Sequence, residues 1–321
     1  MRNRRLLTIL LIFILIGTFA ILGSALFAVR TVSVQFTNQF EFFQKEEEAQ
    51  LESDLKSSVL SFTQKKNSIF GINRKKITGT IEEKNKRVRV TNIEVKFPNR
   101  LEIKVRERYP VFKLQFGDGE AAMTAVMCGQ LRVLEKLDAA AFEELETNPK
   151  KARWPLITIP EEIGTDLRLE DLEIGEFLTS VETDKPYIGI LQQLTPFFAR
   201  LNSNEDAICN IFESVAFKGT PSDIKLVMQS RGPVNDGPKE SQTYHNAFFD
   251  FIVWNAEHRL KDKLTKGWQA LEENHAYAGV YQVWEQATYV FNGEHGEQLY
   301  VKVPDGILVT YREFLPSERR Q

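Results

Sequence analysis

The stretch Val88-Arg89-Val90-Thr91-Asn92-Ile93-Glu94-Val95-Lys96-Phe97-Pro98-Asn99-Arg100-Leu101-Glu102-Ile103-Lys104-Val105-Arg106-Glu107-Arg108 decides how the first half of this chain folds. Apolar residues occupy every second position, at Ile93, Val95 and Phe97 and again at Leu101, Ile103 and Val105. Glu94, Lys96, Glu102 and Lys104 alternate with them, which is the period-two pattern of half-buried strands. Pro98-Asn99-Arg100 reads as the loop of a hairpin. That loop sets Phe97 opposite Leu101, Val95 opposite Ile103 and Ile93 opposite Val105. It also sets Lys96 opposite Glu102 and Glu94 opposite Lys104. Each cross-strand pair of this kind contributes roughly 0.2–1 kcal/mol. A shorter loop would turn the apolar set toward water.

Upstream, Val32, Val34 and Phe36 alternate as a strand. Leu51, Leu55, Val59 and Phe62 recur at near-helical spacing and predict an amphipathic helix over about residues 43–60. Asn73 can cap a short second helix that buries Ile77 and Ile81. Its first turn, Arg74-Lys75-Lys76, carries the sign that the helix dipole disfavours there. The expected order is strand, helix, helix, strand, strand.

Three groups of residues give this order a family likeness: Ile69-Phe70-Gly71-Ile72-Asn73, then Pro98, Leu101, Ile103 and Val105, then Glu107, Arg108, Pro110 and Val111. With them the stretch from about Ala28 to Leu114 resembles the POTRA domain of the FtsQ/DivIB division proteins. Asn73 stands where that family usually has Asp, and Phe112 where it usually has Ala. The motif residues Phe70, Asn73, Pro98, Leu101, Ile103, Val105, Glu107, Arg108 and Pro110 are read as structural.

At 321 residues the chain has room for an anchor and two compact domains. Its net charge of -3 gives no sign of a nucleic-acid partner, which would call for a basic face. Leu6 to Val29 runs without a charge and, as a helix, exceeds the roughly 30 Å hydrocarbon core of a bilayer. Arg2, Arg4 and Arg5 precede it and favour a cytoplasmic N-terminus. A cleaved signal peptide near Gly23-Ser24-Ala25 is the competing reading, but its apolar core normally spans only about 7–15 residues. The expected division is a cytoplasmic tail at 1–5, a transmembrane helix at 6–29, a POTRA domain at 30–114, a β-rich domain at 115–315 and a polar tail at 316–321. The fold class is therefore α+β behind a single membrane span, with everything past the span outside the cytoplasm. Cys128 and Cys209 can pair in an oxidising compartment or stay as separate buried thiols, and their spacing does not choose.

In the second half, Thr124 to Val133 carries Val126, Leu131 and Val133 around Gly129, where the resemblance implies a second hairpin, and Trp154-Pro155-Leu156-Ile157 resembles the family segment that follows it. From Lys185 to Asn202 the apolar residues Tyr187, Ile190, Leu191, Leu194, Phe198 and Leu201 have helical spacing, with Pro196 expected to kink or divide it. Ile211 to Phe217 and Asp223 to Ser230 read as strands, and Arg231 to Ser241 as a loop. Tyr244 to Glu273 reads as one long helix, followed by strands at Val280 to Phe291, Gln298 to Val303 and Ile307 to Tyr311.

The sequence holds no recognisable catalytic apparatus. His245, His258, His275 and His295 form no zinc spacing, and there is no nucleophile elbow, Walker loop or dinucleotide fingerprint. Glu46-Glu47-Glu48 is better read as a solvated helix start than as a cation site. The four tryptophans read as core rather than as a sugar platform. The sequence predicts no enzyme activity, cofactor, metal, nucleic acid or small-molecule substrate. The resemblance implies a bitopic protein at the division septum, joining FtsB (DivIC)-like and FtsL-like partners through its terminal strands and so controlling septal peptidoglycan synthesis. By position, the partner-binding candidates are Leu299, Tyr300, Val301, Ile307, Leu308, Val309 and Tyr311, with the last strand preferred. The rivals are an envelope POTRA chaperone for assembly or secretion, an anchored cell-wall enzyme and a scaffold unconnected with division.

Overall fold

The computed structural model describes residues 12, 17, 27–37, 45–63, 69–85, 87–117, 123–147, 154–164, 169–178, 185–201, 211–232, 248–273, 278–292 and 298–318. The chain divides into two units, Met1–Arg108 and Tyr109–Gln321. Both units mix helices and strands, and the second, larger one is the richer in strands, so the chain is α+β. The run Leu6–Val29 lies almost wholly outside the described residues. Among the described residues no helix is long and apolar enough to cross a membrane.

The first unit contains β1 (Thr31–Phe36), α1 (Lys45–Thr63), α2 (Arg74–Lys84), β2 (Val88–Lys96) and β3 (Arg100–Glu107). The sheet order is β1-β3-β2, with β3 parallel to β1 and antiparallel to β2. Central β3 alternates without a break, and Leu101, Ile103 and Val105 are all fully buried. Leu51, Leu55 and Val59 of α1 and Ile77 and Ile81 of α2 close over it as one core. Asn73 accepts a hydrogen bond from the Lys76 amide at 3.1 Å, so α2 begins where its cap allows despite the basic first turn. Glu82 joins α2 to the sheet: Oε1 accepts from the Val90 amide at 2.9 Å, and Oε2 meets buried Arg108 Nη2 at 2.9 Å.

The hairpin register differs from the sequence expectation. Val95 pairs with Leu101, Ile93 with Ile103 and Lys96 with Arg100, so the loop is Phe97-Pro98-Asn99. Phe97 leaves the ladder and is 64% exposed, its ring 6.3 Å from that of Phe27 and 5.7 Å from that of Phe70. The slip moves each pairing by an even count, so Ile93, Leu101, Ile103 and Val105 still reach the core. The charges now meet on diagonals, with Lys96–Glu102 and Lys104–Glu94 both at 3.9 Å. Phe70 is likewise 69% exposed.

The second unit begins earlier than residue 115. Pro110 opens β4 (Pro110–Phe116), which pairs with β5 (Thr124–Cys128) and β7 (Leu156–Ile159) and so belongs to the larger sheet. β6 (Val133–Leu137), β8 (Phe212–Thr220), β9 (Asp223–Ser230), β10 (Phe249–Val253), β11 (Gly279–Glu285) and β14 (Ile307–Arg312) complete it. The nine strands run in the order β14-β11-β10-β9-β8-β7-β4-β5-β6. A separate ribbon holds β12 (Thr288–Asn292) and β13 (Gln298–Lys302). Helices α3 (Ala139–Thr147), α4 (Glu161–Gly164), α5 (Pro186–Leu201) and α6 (Leu260–Glu273) accompany the strands.

The expected long helix from Tyr244 is replaced at its described start by a strand. Phe249, Phe251 and Val253 alternate as buried residues in β10, and the helix proper begins only at Leu260. β10 and β11 run parallel, a pairing that needs a crossover, and α6 supplies it. Pro196, in contrast, does not divide α5. The Gln192 carbonyl, deprived of an amide at position 196, accepts from the Thr195 hydroxyl at 3.3 Å instead. Trp154 and Trp268 are buried, whereas Trp254 and Trp284 are half-buried. Cys128 is a buried thiol, and Cys209 lies outside the described residues.

Candidate partner-binding edge

An open nine-stranded sheet has two rims, and this sheet treats them differently. At the β6 rim a following segment folds over the strand. The Val133 amide donates to Glu176 O at 3.0 Å, the Gly175 amide to Val133 O, and the Leu178 amide to Leu131 O at 2.8 Å. Arg132 bridges to Phe177 and lays its guanidinium 4.0 Å from that ring's centroid. A visiting strand would have to displace this cover.

Among the described strands the β14 rim pairs only with β11, antiparallel from Val280↔Arg312 to Glu285↔Ile307. Ile307, Val309 and Tyr311 share the face that carries the core, with Tyr311 still 41% exposed. Ile307 is buried and belongs to the core, which removes it from the set of contact candidates. Val309 packs partly against that core. The Tyr311 ring lies 5.1 Å from that of buried Tyr281, and its hydroxyl donates to Ala278 O at 2.9 Å. Leu308 and Thr310 alternate on the other face and are half-buried. Gly279 is required where β11 starts, because a Cβ there would meet Arg312 O and the Tyr311 ring, each at 2.5 Å.

β12 and β13 prolong β11 and β14 beyond a kink. The Gln286 amide donates to Gly306 O at 2.9 Å and the Val303 amide to Ala287 O at 3.0 Å, carrying the pairing across the gap. Helix α6 pins that kink from the side: Lys266 Nζ reaches Asp305 Oδ2 at 2.6 Å, and Nη1 of Arg259, just before the helix, donates to Asp305 O at 3.0 Å. The Lys266 ammonium holds the Asp305 carboxyl below its ordinary range. On the ribbon, Tyr300 and Val290 sit opposite each other, 68% and 39% exposed, and Val301 is 46% exposed. The side chain of Leu299 lies outside what is described.

Beyond β14, the expected polar tail turns back rather than trailing away. Arg312 grips Glu318 with both terminal guanidinium nitrogens, at 2.7 and 2.8 Å, and the Leu315 amide donates to the same carboxylate at 2.9 Å. These donors hold the Glu318 carboxyl down at about 2. Nothing in the sequence pattern announced this clip; an Arg and a Glu six apart across Pro316 are its only trace.

The residues screened for chemistry fall elsewhere. His258 is exposed in the turn before α6, and its neighbour Glu257 accepts from the Ile224 amide at 3.0 Å. His245, His275 and His295 lie outside the described residues. Among the described residues no cluster of His, Cys, Asp and Glu could hold a metal ion. Two buried lysines hold structural positions. Lys263 Nζ donates to Trp254 O at 3.0 Å and Asn255 O at 2.8 Å, closing the turn after β10, and Lys113 is paired with Glu146 of α3. Burial pushes both ammonium groups below their ordinary pKa.

Residues 58–108 match the family model described as POTRA domain, FtsQ-type. The match starts inside α1 and stops at Arg108, where the first unit also ends. It supports assignment of the chain to the FtsQ/DivIB family. No curated protein matches the chain.

Proposed function

We propose that this chain is a bitopic, non-catalytic division protein, anchored by residues 6–29 with its N-terminus in the cytoplasm and working at the septum. Its POTRA domain, of a type that scaffolds rather than catalyses, serves placement. Its second unit captures small single-pass partners resembling FtsB (DivIC) and FtsL, through which septal peptidoglycan synthesis is controlled. The observation that carries this reading is the contrast between the rims: β6 is covered by its own chain, while β14 lies last in the sheet beside a ribbon of exposed apolar side chains. A partner strand added to β14 would gain main-chain hydrogen bonds, and Leu308, Thr310 and the ribbon's Tyr300 and Val301 would supply specificity.

Depletion of the protein from its own cells, with a fluorescent fusion followed by microscopy, tests the reading. Septal bands and arrested division on depletion are expected. A uniform envelope signal with normal septation would overturn it.

A further inference from the structure

Three segments of the first unit meet where the chain enters it. The Ile69 amide donates to Phe27 O at 2.7 Å, and the Arg30 amide to Asn99 O at 2.9 Å. They bring together the rings of Phe27, Phe70 and Phe97, with centroids 5.1, 5.7 and 6.3 Å apart. Phe27 packs partly on the core, but Phe70 and Phe97 are 69% and 64% exposed. Folding alone gives no reason to leave such rings in water, and an apolar cluster of this kind marks an interaction surface.

Its surroundings are basic. Arg30, Arg74, Lys75, Lys76 and Arg100 are exposed on the same three segments, and residues 27–30, 69–76 and 96–100 contain no acidic side chain. The chain as a whole is acidic, at -3, so this concentration of one sign is local. The first turn of α2 carries three of these charges although the helix dipole disfavours them there. Phe27 is itself the near end of the uncharged run Leu6–Val29, with no spacer between that run and the cluster.

We propose that this aromatic and basic end of the POTRA domain seats on an anionic lipid surface, Phe70 and Phe97 entering the headgroup layer while the Arg and Lys side chains meet lipid phosphates. The seating rests on residues 6–29 being the anchor, which would deliver Phe27 to the bilayer–water boundary. Apolar side chains at that depth and cations against an anionic leaflet are the two attractions available there. A fixed seat would hold the domain's orientation relative to the membrane, which a flexible tether would not.

The test uses the full chain reconstituted into vesicles with brominated acyl chains, in a Phe97→Trp variant. Wild type is measured in parallel, since its four tryptophans all lie after Arg108. The introduced indole should lose most of its emission in vesicles containing phosphatidylglycerol. It should be much less quenched in phosphatidylcholine alone, and should recover when Arg74, Lys75 and Lys76 are all changed to Glu. Those positions are exposed, and Glu suits a helix start, so the triple variant should melt as wild type does. No quenching in a chain that resists carbonate extraction would overturn the seating and leave the anchor standing. Release by carbonate would overturn the anchor and the seating with it. Equal quenching in both lipids would overturn the role of the basic residues. An indole buried only after co-reconstitution with a division partner would assign the surface to protein instead.

Discussion

Proline at the edge strand separates the sheet's own needs from those of a partner. In an antiparallel ladder consecutive residues point their amides to opposite sides, so of Val309 and Thr310 one donates toward β11 and the other outward. Val309→Pro and Thr310→Pro therefore form a matched pair, one removing a ladder bond and the other only an outward donor. Losing the ladder bond strands a carbonyl of β11 and costs about 1–3 kcal/mol. In a unit of this size that lowers Tm by about 2–12 °C, at roughly 2–4 °C per kcal/mol. The outward proline leaves water as the only lost partner in the free protein, so its Tm should stay close to wild type. In the complex the same proline removes one main-chain bond worth about 0.5–1.5 kcal/mol, and its ring also obstructs the approaching strand. Together these predict at least about a tenfold loss of partner affinity, one factor of ten per 1.4 kcal/mol. The assay is a thermal melt beside co-purification with the small division partners. If the proline variant that melts like wild type also captures partners like wild type, β14 is not the docking edge.

Gly279→Ala should loosen the same rim from behind, since the new methyl meets backbone at Arg312 and the Tyr311 ring, each at 2.5 Å. Overpacking of this kind costs about 1–3 kcal/mol, read as a lower Tm together with faster hydrogen exchange along β14. The Arg312–Glu318 clip should depend on acid. Its carboxyl titrates at about 2 instead of the ordinary 4.5, so its contribution is complete above 4.5 and is lost as pH falls toward 2. Protection of the Leu315 amide, measured by exchange between those limits, should disappear over that range; an amide equally protected at both ends would refute the clip.

The first unit was legible because its signals are local and agree with one another. Alternation in β3, the cap at Asn73 and the helical spacing of Leu51, Leu55 and Val59 each name one element, and the parallel pairing of β1 with β3 assembles them. The hairpin register failed by an even step because alternation fixes which face a residue takes, not which residue it opposes. Whether Phe97 ends the strand or opens the loop depends on Phe27 and Phe70, which lie far away in sequence.

The second unit was less legible where periodicities overlap. Phe248, Phe251 and Ile252 fit a helix as readily as Phe249, Phe251 and Val253 fit a strand, and only pairing with β9 and β11 settles the matter. That single strand changes what the terminal segment can do. With β10 in the sheet, α6 becomes a crossover, β11 lies parallel beside β10, and β14 falls on the rim. A helix in its place would have left the last strands as a detached meander. The rim thus follows from β10, while Arg259 just before α6 and Lys266 midway along it fix the kink from which the exposed ribbon extends. One crossover therefore positions both surfaces on which the candidate edge depends, and a change that melts α6 should cost partner capture even though α6 need touch no partner.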